Sequence, residues 1–241
     1  MKIAISNLAY NNIDCIKNIN ISLIECVFSK IKNIPDLTNE LIIQWLSKIP
    51  SHIRPYSVQS ITYNCGLLNF NFLDENIFII DKIISLSKIL NIKRIIFGSP
   101  ILRVGEPDLS MFSYIDKALH DTDIIFCIEP NAKIYGGSYF YDIEEIVNFI
   151  NKNKFKNIYT MIDTHNAWLE QRDIVSDIKT YKNYIKHIHA SEIGLSGFFS
   201  LSAHDLVSKT LREISYEDVI TFESQNMCGI DDFLRIYGHN V

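Results

Sequence analysis

The stretch Phe126-Cys127-Ile128-Glu129-Pro130-Asn131 closes an apolar run that begins at Ile124 and stops abruptly on a carboxylate. A run of about 4–8 apolar, β-branched residues between polar breaks fits a short parallel strand covered on both faces. The same design recurs three times downstream. Ile158-Tyr159-Thr160-Met161-Ile162 ends in Asp163, Ile185-Lys186-His187-Ile188 ends in His189, and Val219-Ile220-Thr221-Phe222 ends in Glu223. Each of the four strands therefore delivers a metal-ligating side chain at its C-terminal end.

Outward from this stretch, the chain alternates strands with amphipathic helices. Strands are expected at Lys2–Ser6, Ser22–Phe28, Ser57–Tyr63 and Lys93–Phe97, then at Ile124–Glu129, Asn157–Ile162, Ile185–Ala190 and Val219–Phe222. Helices are expected at Leu37–Lys48, with Thr38 as cap, and at Asp74–Leu90, Ser110–His120, Asp142–Asn153, Asp173–Tyr184, Ala203–Ile214 and Ile230–Tyr237. Asn11–Asn18 reads as a short helix or a loop. No Pro/Gly-rich linker divides the chain, so residues 1–241 read as one domain, a single (β/α)8 TIM barrel of the α/β class. An open doubly wound sheet competes, but it calls for a Gly-rich turn after the first strand, and Asn7-Leu8-Ala9-Tyr10 is not one.

Composition narrows the classes. With 241 residues, 47% hydrophobic and 21% charged, the chain can bury a sizeable core and is not a disordered segment. A net charge of −5 argues against a nucleic-acid partner, which leaves a basic footprint. A membrane span needs about 18 or more consecutive apolar residues, and no window supplies them. Met1-Lys2-Ile3-Ala4-Ile5-Ser6-Asn7 is too short for a signal segment. Cys15, Cys26, Cys65, Cys127 and Cys228 show no CxxC spacing and read as reduced thiols of a cytoplasmic protein. A homo-oligomer is left open.

In a parallel barrel the strand C-termini share one face, where active sites sit. Glu129, Asp163, His189 and Glu223 are separated by 34, 26 and 34 residues, each about one βα unit, and so meet around one axis. Three carboxylates so close raise one another's pKa unless a cation neutralises them. The oxygen-rich set favours a divalent metal, Mn²⁺ first, with Mg²⁺, Co²⁺ or Zn²⁺ as alternatives.

The segments Ile128-Glu129-Pro130-Asn131, Ile162-Asp163-Thr164-His165, His187-Ile188-His189-Ala190-Ser191-Glu192 and Phe222-Glu223 resemble the xylose-isomerase-like TIM-barrel superfamily, over nearly the whole chain. Ile24-Glu25 and Phe97-Gly98-Ser99-Pro100 add to the likeness. The resemblance implies a metal-dependent sugar or sugar phosphate isomerase or epimerase that moves a proton next to a carbonyl through a metal-stabilised enediolate. It implies Glu129, Asp163, His189 and Glu223 as metal ligands, with Glu129 and Glu223 as the catalytic acid/base pair. The substrate would be a small sugar or polyol. An inosose-dehydratase-like lyase would use the same residues, a non-catalytic barrel would keep only the binding, and an endonuclease IV-like phosphodiesterase would need more histidines. The family's substrate histidine would fall at Asn166, one residue past His165, and its strand-7 loop arginine is replaced by Gly194-Leu195-Ser196.

Further contacts are expected around these four. His165, Glu192, His187 and Asn131 are candidate substrate-binding residues. His187 shares a strand face with His189, one layer deeper, where a supporting or core role is also open. Glu192 could instead cap its loop. Trp168 could wall the pocket, and Lys133, Tyr135 and Arg103 could hold a phosphate or hydroxyl. Glu25 and Asn64 read as substrate contacts or buried polar residues, and His204 as a surface residue.

Overall fold

The computed structural model describes residues 1–62, 69–71 and 73–238. Asn64 and Cys65 lie outside them. Eight parallel strands close into one barrel in chain order: β1 (Lys2–Ser6), β2 (Leu23–Val27), β3 (Arg54–Gln59), β4 (Arg94–Phe97), β5 (Ile125–Ile128), β6 (Ile158–Asp163), β7 (Ile185–Ser191) and β8 (Val219–Glu223). β1 pairs with β8 from Lys2–Val219 to Ile5–Phe222, which removes every sheet edge. The described residues hold eight α-helices: α1 (Asn39–Leu46), α2 (Leu73–Ile89), α3 (Leu109–Ala118), α4 (Ile143–Asn153), α5 (Thr164–Leu169), α6 (Ile174–Tyr181), α7 (Leu201–Glu213) and α8 (Ile230–Tyr237). Asn11–Asn18 contains a single 3-10 turn, Ile13–Ile16. No helix among the described residues is long and apolar enough to cross a membrane, and the four described cysteines are free thiols.

Two expectations are corrected. The third strand starts at Arg54 and ends at Gln59, not at Ser57–Tyr63. Ser60, with φ 53°, turns the chain into the left-handed region and ends the strand, although alternation continues in the sequence. The segment after β6 is a short helix, α5, where a loop was expected. Asp163 caps it: its Oδ1 accepts a hydrogen bond from the Asn166 N–H at 2.7 Å.

The strands bury both faces. Outward residues such as Ile24, Phe97, Phe126, Ile188 and Phe222 pack with the helices in the main core. Phe97 stacks on Phe70 at 4.1 Å between ring centroids. Inside the barrel, Ala4, Leu23, Tyr56 and Val219 form one apolar group, and Ile96, Cys127 and Met161 another. Alternation then places Thr221 and Glu223 above Val219, and Asp163 above Met161. The barrel is therefore greasy at its base and polar toward its C-terminal mouth.

Two irregularities set this polar layer. The pairing of β2 with β3 jumps from Ile24–Pro55 to Glu25–Ser57, skipping Tyr56. The pairing of β6 with β7 runs from Thr160–Ile185 to Ile162–Ile188, so β7 carries one extra residue. A bulge of this kind re-aims the side chains beyond it. Here it brings Ser57 opposite Glu25, and His189 opposite Asp163.

Candidate active site

The four strand-end residues converge at the barrel mouth. Glu129, Asp163 and His189 each offer a ligand atom within 4.8 Å of the others. His189 Nδ1 lies 3.1 Å from Glu223 Oε2 and 3.6 Å from Asp163 Oδ2. Both ring nitrogens of His189 are buried and neither makes a hydrogen bond. A buried ring nitrogen without a hydrogen bond, facing three carboxylates, is the donor set that suits a divalent cation.

Each carboxylate is held by neighbours. Glu129 Oε1 accepts from Asn131 Nδ2 at 3.1 Å and from Asn166 Nδ2 at 3.0 Å. Asn166 is itself fixed, since its Oδ1 accepts the Ala132 N–H at 3.1 Å. Asp163 Oδ2 accepts from Ser191 Oγ at 3.0 Å, and the same hydroxyl accepts the His165 N–H at 3.1 Å.

The electrostatics follow from this crowding. Burial pushes the Glu129 carboxyl up to about 8; Asp163 and Glu223 add to the rise, while His189 and Arg103 oppose it. Burial likewise raises Glu223 above its usual range, against the pull of His189. Burial works on Asp163 in the same direction, but His189 and the Asn166 N–H outweigh it, so Asp163 stays low. Burial would lower His189, but Glu223, Glu25 and Asp163 lift it well above its ordinary value. Two raised carboxyls thus flank the lowered Asp163 and the raised His189.

A cavity of about 710 Å³ opens over this group. Glu129, Asp163 and Glu223 form its acidic floor, Gln59, Asn131, Asn166 and Gln225 supply neutral hydrogen-bonding groups, and Pro100, Ile101 and Leu195 an apolar side. Tyr135 and His165 also line it and are hydrogen-bonded through the Tyr135 hydroxyl and His165 Nε2.

Other expected residues are placed elsewhere. His187 is fully buried below the mouth, 3.0 Å from Glu25 through Nε2. Glu192 does not line the cavity. Its Oε1 accepts the backbone N–H groups of Phe199, at 2.9 Å, and Ser200, and burial notwithstanding it is held down to about 2 by His204 and these donors. It therefore ties down the loop after β7. His204 is buried rather than at the surface, 3.3 Å from Glu192 and 2.9 Å from the Tyr237 hydroxyl, because α7 turns it under that loop. Trp168 packs on His204 at 4.9 Å between ring centroids and is absent from the cavity wall.

Arg103 is also corrected. It is buried, its guanidinium 4.9 Å from the Phe97 ring centre, and it donates to the backbone carbonyls of Phe97, at 2.9 Å, and Glu129, at 2.8 Å. It braces the strand end that carries Glu129 and does not reach the cavity for a phosphate. Lys133 sits outside the cavity wall, over the Tyr141 ring at 5.6 Å.

The sequence marks no part for Gln59 and Gln225, single polar residues with no motif around them, nor for Ser191 within the His187–Glu192 segment. Gly98 is legible only in three dimensions. A Cβ there would lie 2.5 Å from Glu129 Oε2. Gly98→Ala is therefore expected to push the Glu129 carboxylate from its two asparagine donors. The protein should keep its fold by circular dichroism and bind Mn²⁺ at least about 10-fold more weakly in calorimetric titration, as loss of a ligand's support typically does.

No protein-family model matches the chain, and no curated protein sequence does. Among solved structures the chain shares the fold of several sugar epimerases and of an AP endonuclease. It superposes on a 3-keto-D-glucoside 4-epimerase from E. coli with a TM-score of 0.72 and 15% identity, over 99% of both chains. D-psicose 3-epimerase from Clostridium cellulolyticum H10, solved with D-tagatose, gives a TM-score of 0.75 and 16% identity, over 100% of this chain and 92% of that one. A family 2 AP endonuclease from Brucella melitensis gives 0.75 and 13%, over 100% and 99%. At these identities the likeness is one of fold.

Proposed function

We infer that the protein is a divalent-metal-dependent epimerase or isomerase of a keto sugar. The observation that carries this reading is the pair Glu129 and Glu223 at the cavity floor, both raised above the ordinary carboxylate range, on strands that flank those bearing Asp163 and His189. The sugar epimerases among the structures that share this fold support it.

Glu129, Asp163, His189 and Glu223 would hold the cation, Mn²⁺ before Mg²⁺, Co²⁺ or Zn²⁺ on the chemistry of the donor set. When bound, the cation supplies Lewis-acid polarisation of the carbonyl and stabilises the negative charge that develops on the neighbouring oxygens. One carboxylate then removes the proton from the carbon beside the carbonyl, and the other returns a proton from the opposite side. Asn131 and Asn166 keep Glu129 aimed. The cavity wall carries three carboxylates amid neutral amides and apolar groups, so a phosphate would meet like charge. An uncharged keto sugar or polyol fits better.

Incubation of the Mn²⁺-loaded protein with a panel of free ketohexoses and 3-keto-glucosides in D₂O tests this. Deuterium should enter next to the carbonyl, with a new epimer or isomer formed. Loss of water from the substrate would identify a lyase instead, and no exchange with any sugar, with metal bound, would identify a non-catalytic barrel.

A further inference from the structure

We propose that Glu25 is a positioning residue for the candidate metal site: it fixes the ring of His189 so that Nε2 carries the proton and Nδ1 presents its lone pair to the cation. This inference rests on the metal reading above.

Glu25 stands in the middle of β2 with 0% exposure. Four polar groups surround its carboxylate. Oε1 lies 2.9 Å from Gln59 Nε2 and 3.0 Å from His189 Nε2. Oε2 lies 2.8 Å from Ser57 Oγ and 3.0 Å from His187 Nε2. An ionised carboxylate only accepts hydrogen bonds, and has about four lone-pair positions. Here Ser57 and Gln59 donate to the carboxylate, and the two imidazole nitrogens stand at ion-pair distance from it, which is what allows a charge to be buried this deeply. With the cation on Nδ1, the one remaining proton of the neutral His189 ring sits on Nε2, which stands 3.0 Å from Glu25 Oε1. A neutral imidazole with a proton on Nε2 has its lone pair on Nδ1. Nδ1 is the atom that faces Asp163 and Glu223.

The surroundings hold this geometry. The His187 ring stands edge-on to His189, 87° between planes and 4.9 Å between centroids, which limits rotation of the ring. His187 Nε2 is itself 3.0 Å from Thr221 Oγ1. The bulge at Tyr56 places Ser57 and Gln59, both on β3, against Glu25. In regular pairing Tyr56 would stand opposite Glu25 in place of Ser57.

A competing use of the same atoms exists. Glu25, His187 and His189 offer ligand atoms within 4.8 Å of one another, so a second cation could sit among them. The donors from Ser57 and Gln59 already occupy one position on each carboxylate oxygen, and a neutral His189 that gives Nδ1 to the cation at the mouth has no second lone pair for such an ion. The structure therefore favours Glu25 as a support for His189 over a second cation.

The test compares metal-stripped wild type, Glu25→Gln and Glu25→Asp by calorimetric Mn²⁺ titration, metal counting by mass spectrometry and thermal melting. Wild type should bind one ion per chain. Glu25→Gln should bind it about 10–100-fold more weakly, the usual effect of removing such a partner, while its metal-free Tm is not lowered in proportion. Glu25→Asp, which keeps the charge, should recover part of the affinity. Equal affinity in a folded Glu25→Gln overturns this proposal alone. Two ions in wild type and one in Glu25→Gln overturn it in favour of the second metal site. No ion in wild type overturns the metal reading and this proposal with it. Should Glu25→Gln fail to fold, ¹⁵N NMR of the Zn²⁺-loaded wild type decides: a proton on His189 Nε2 with metal at Nδ1 upholds the proposal, and the reverse overturns it.

Discussion

Glu129→Gln and Glu223→Gln are each expected to lose epimerisation by about 10²–10⁴-fold, the contribution of one positioned general acid or base. The amide oxygen can still act as a ligand, but it takes no proton at neutral pH. The two variants should differ in a telling way. Each keeps one working carboxylate, so each should still exchange deuterium into the substrate epimer whose proton faces the surviving residue, without completing the inversion. Starting from either epimer in D₂O and following the label by NMR gives the result directly. Variants that still epimerise at the wild-type rate, with metal bound, would remove both residues from the chemistry. The prediction is large because each residue would carry one of the two proton transfers, and both carboxyls stand above the ordinary carboxylate range.

The second large effect is the dependence of stability on metal and pH. Glu129 is raised from its ordinary 4.5 to about 8 in the metal-free fold. A raised folded pKa gives stability that is full below the unfolded value and lost as pH rises through the folded one. Glu223 and His189, also raised, act in the same direction, while Asp163, which is lowered, loses its contribution only in acid, below its ordinary 3.8. The metal-free protein should therefore melt progressively lower between about pH 5 and pH 8. Mn²⁺ binds the deprotonated set, so its stabilisation should grow over the same interval. With the ion at 100 times its Kd, the gain is about 2.7 kcal/mol, or roughly 5–11 °C in Tm for a chain of this size. Scanning calorimetry with and without EDTA from pH 5 to pH 8.5 measures it. A gap in Tm that stays constant with pH would show that these groups do not titrate with metal binding.

Much of this site is readable from a pattern of strand ends. Glu129, Asp163, His189 and Glu223 stand out because an apolar run has to stop on something, and four consecutive runs stop on ligand types. The neighbouring polar residues carry no such mark. Asn166 binds Glu129 from a helix that the sequence reads as a loop, because its start depends on a cap by Asp163, which serves the site as well. Arg103 and His204 look like surface residues by type, yet Arg103 is buried under aromatic rings and backbone carbonyls, and His204 lies between Glu192 and Tyr237.

The sequence by itself determined the barrel, its strand order and the four residues at its mouth. Period-2 burial, βα spacing and the requirement that parallel strands end on one face are properties of local chain geometry. Tertiary structure alone decided what supports them. Glu25 is a lone carboxylate inside an apolar strand, and its meaning depends on a bulge in β3 and another in β7. A one-residue slip of register turns every side chain beyond it to the opposite face, and such a slip leaves no signature in the residues that make it.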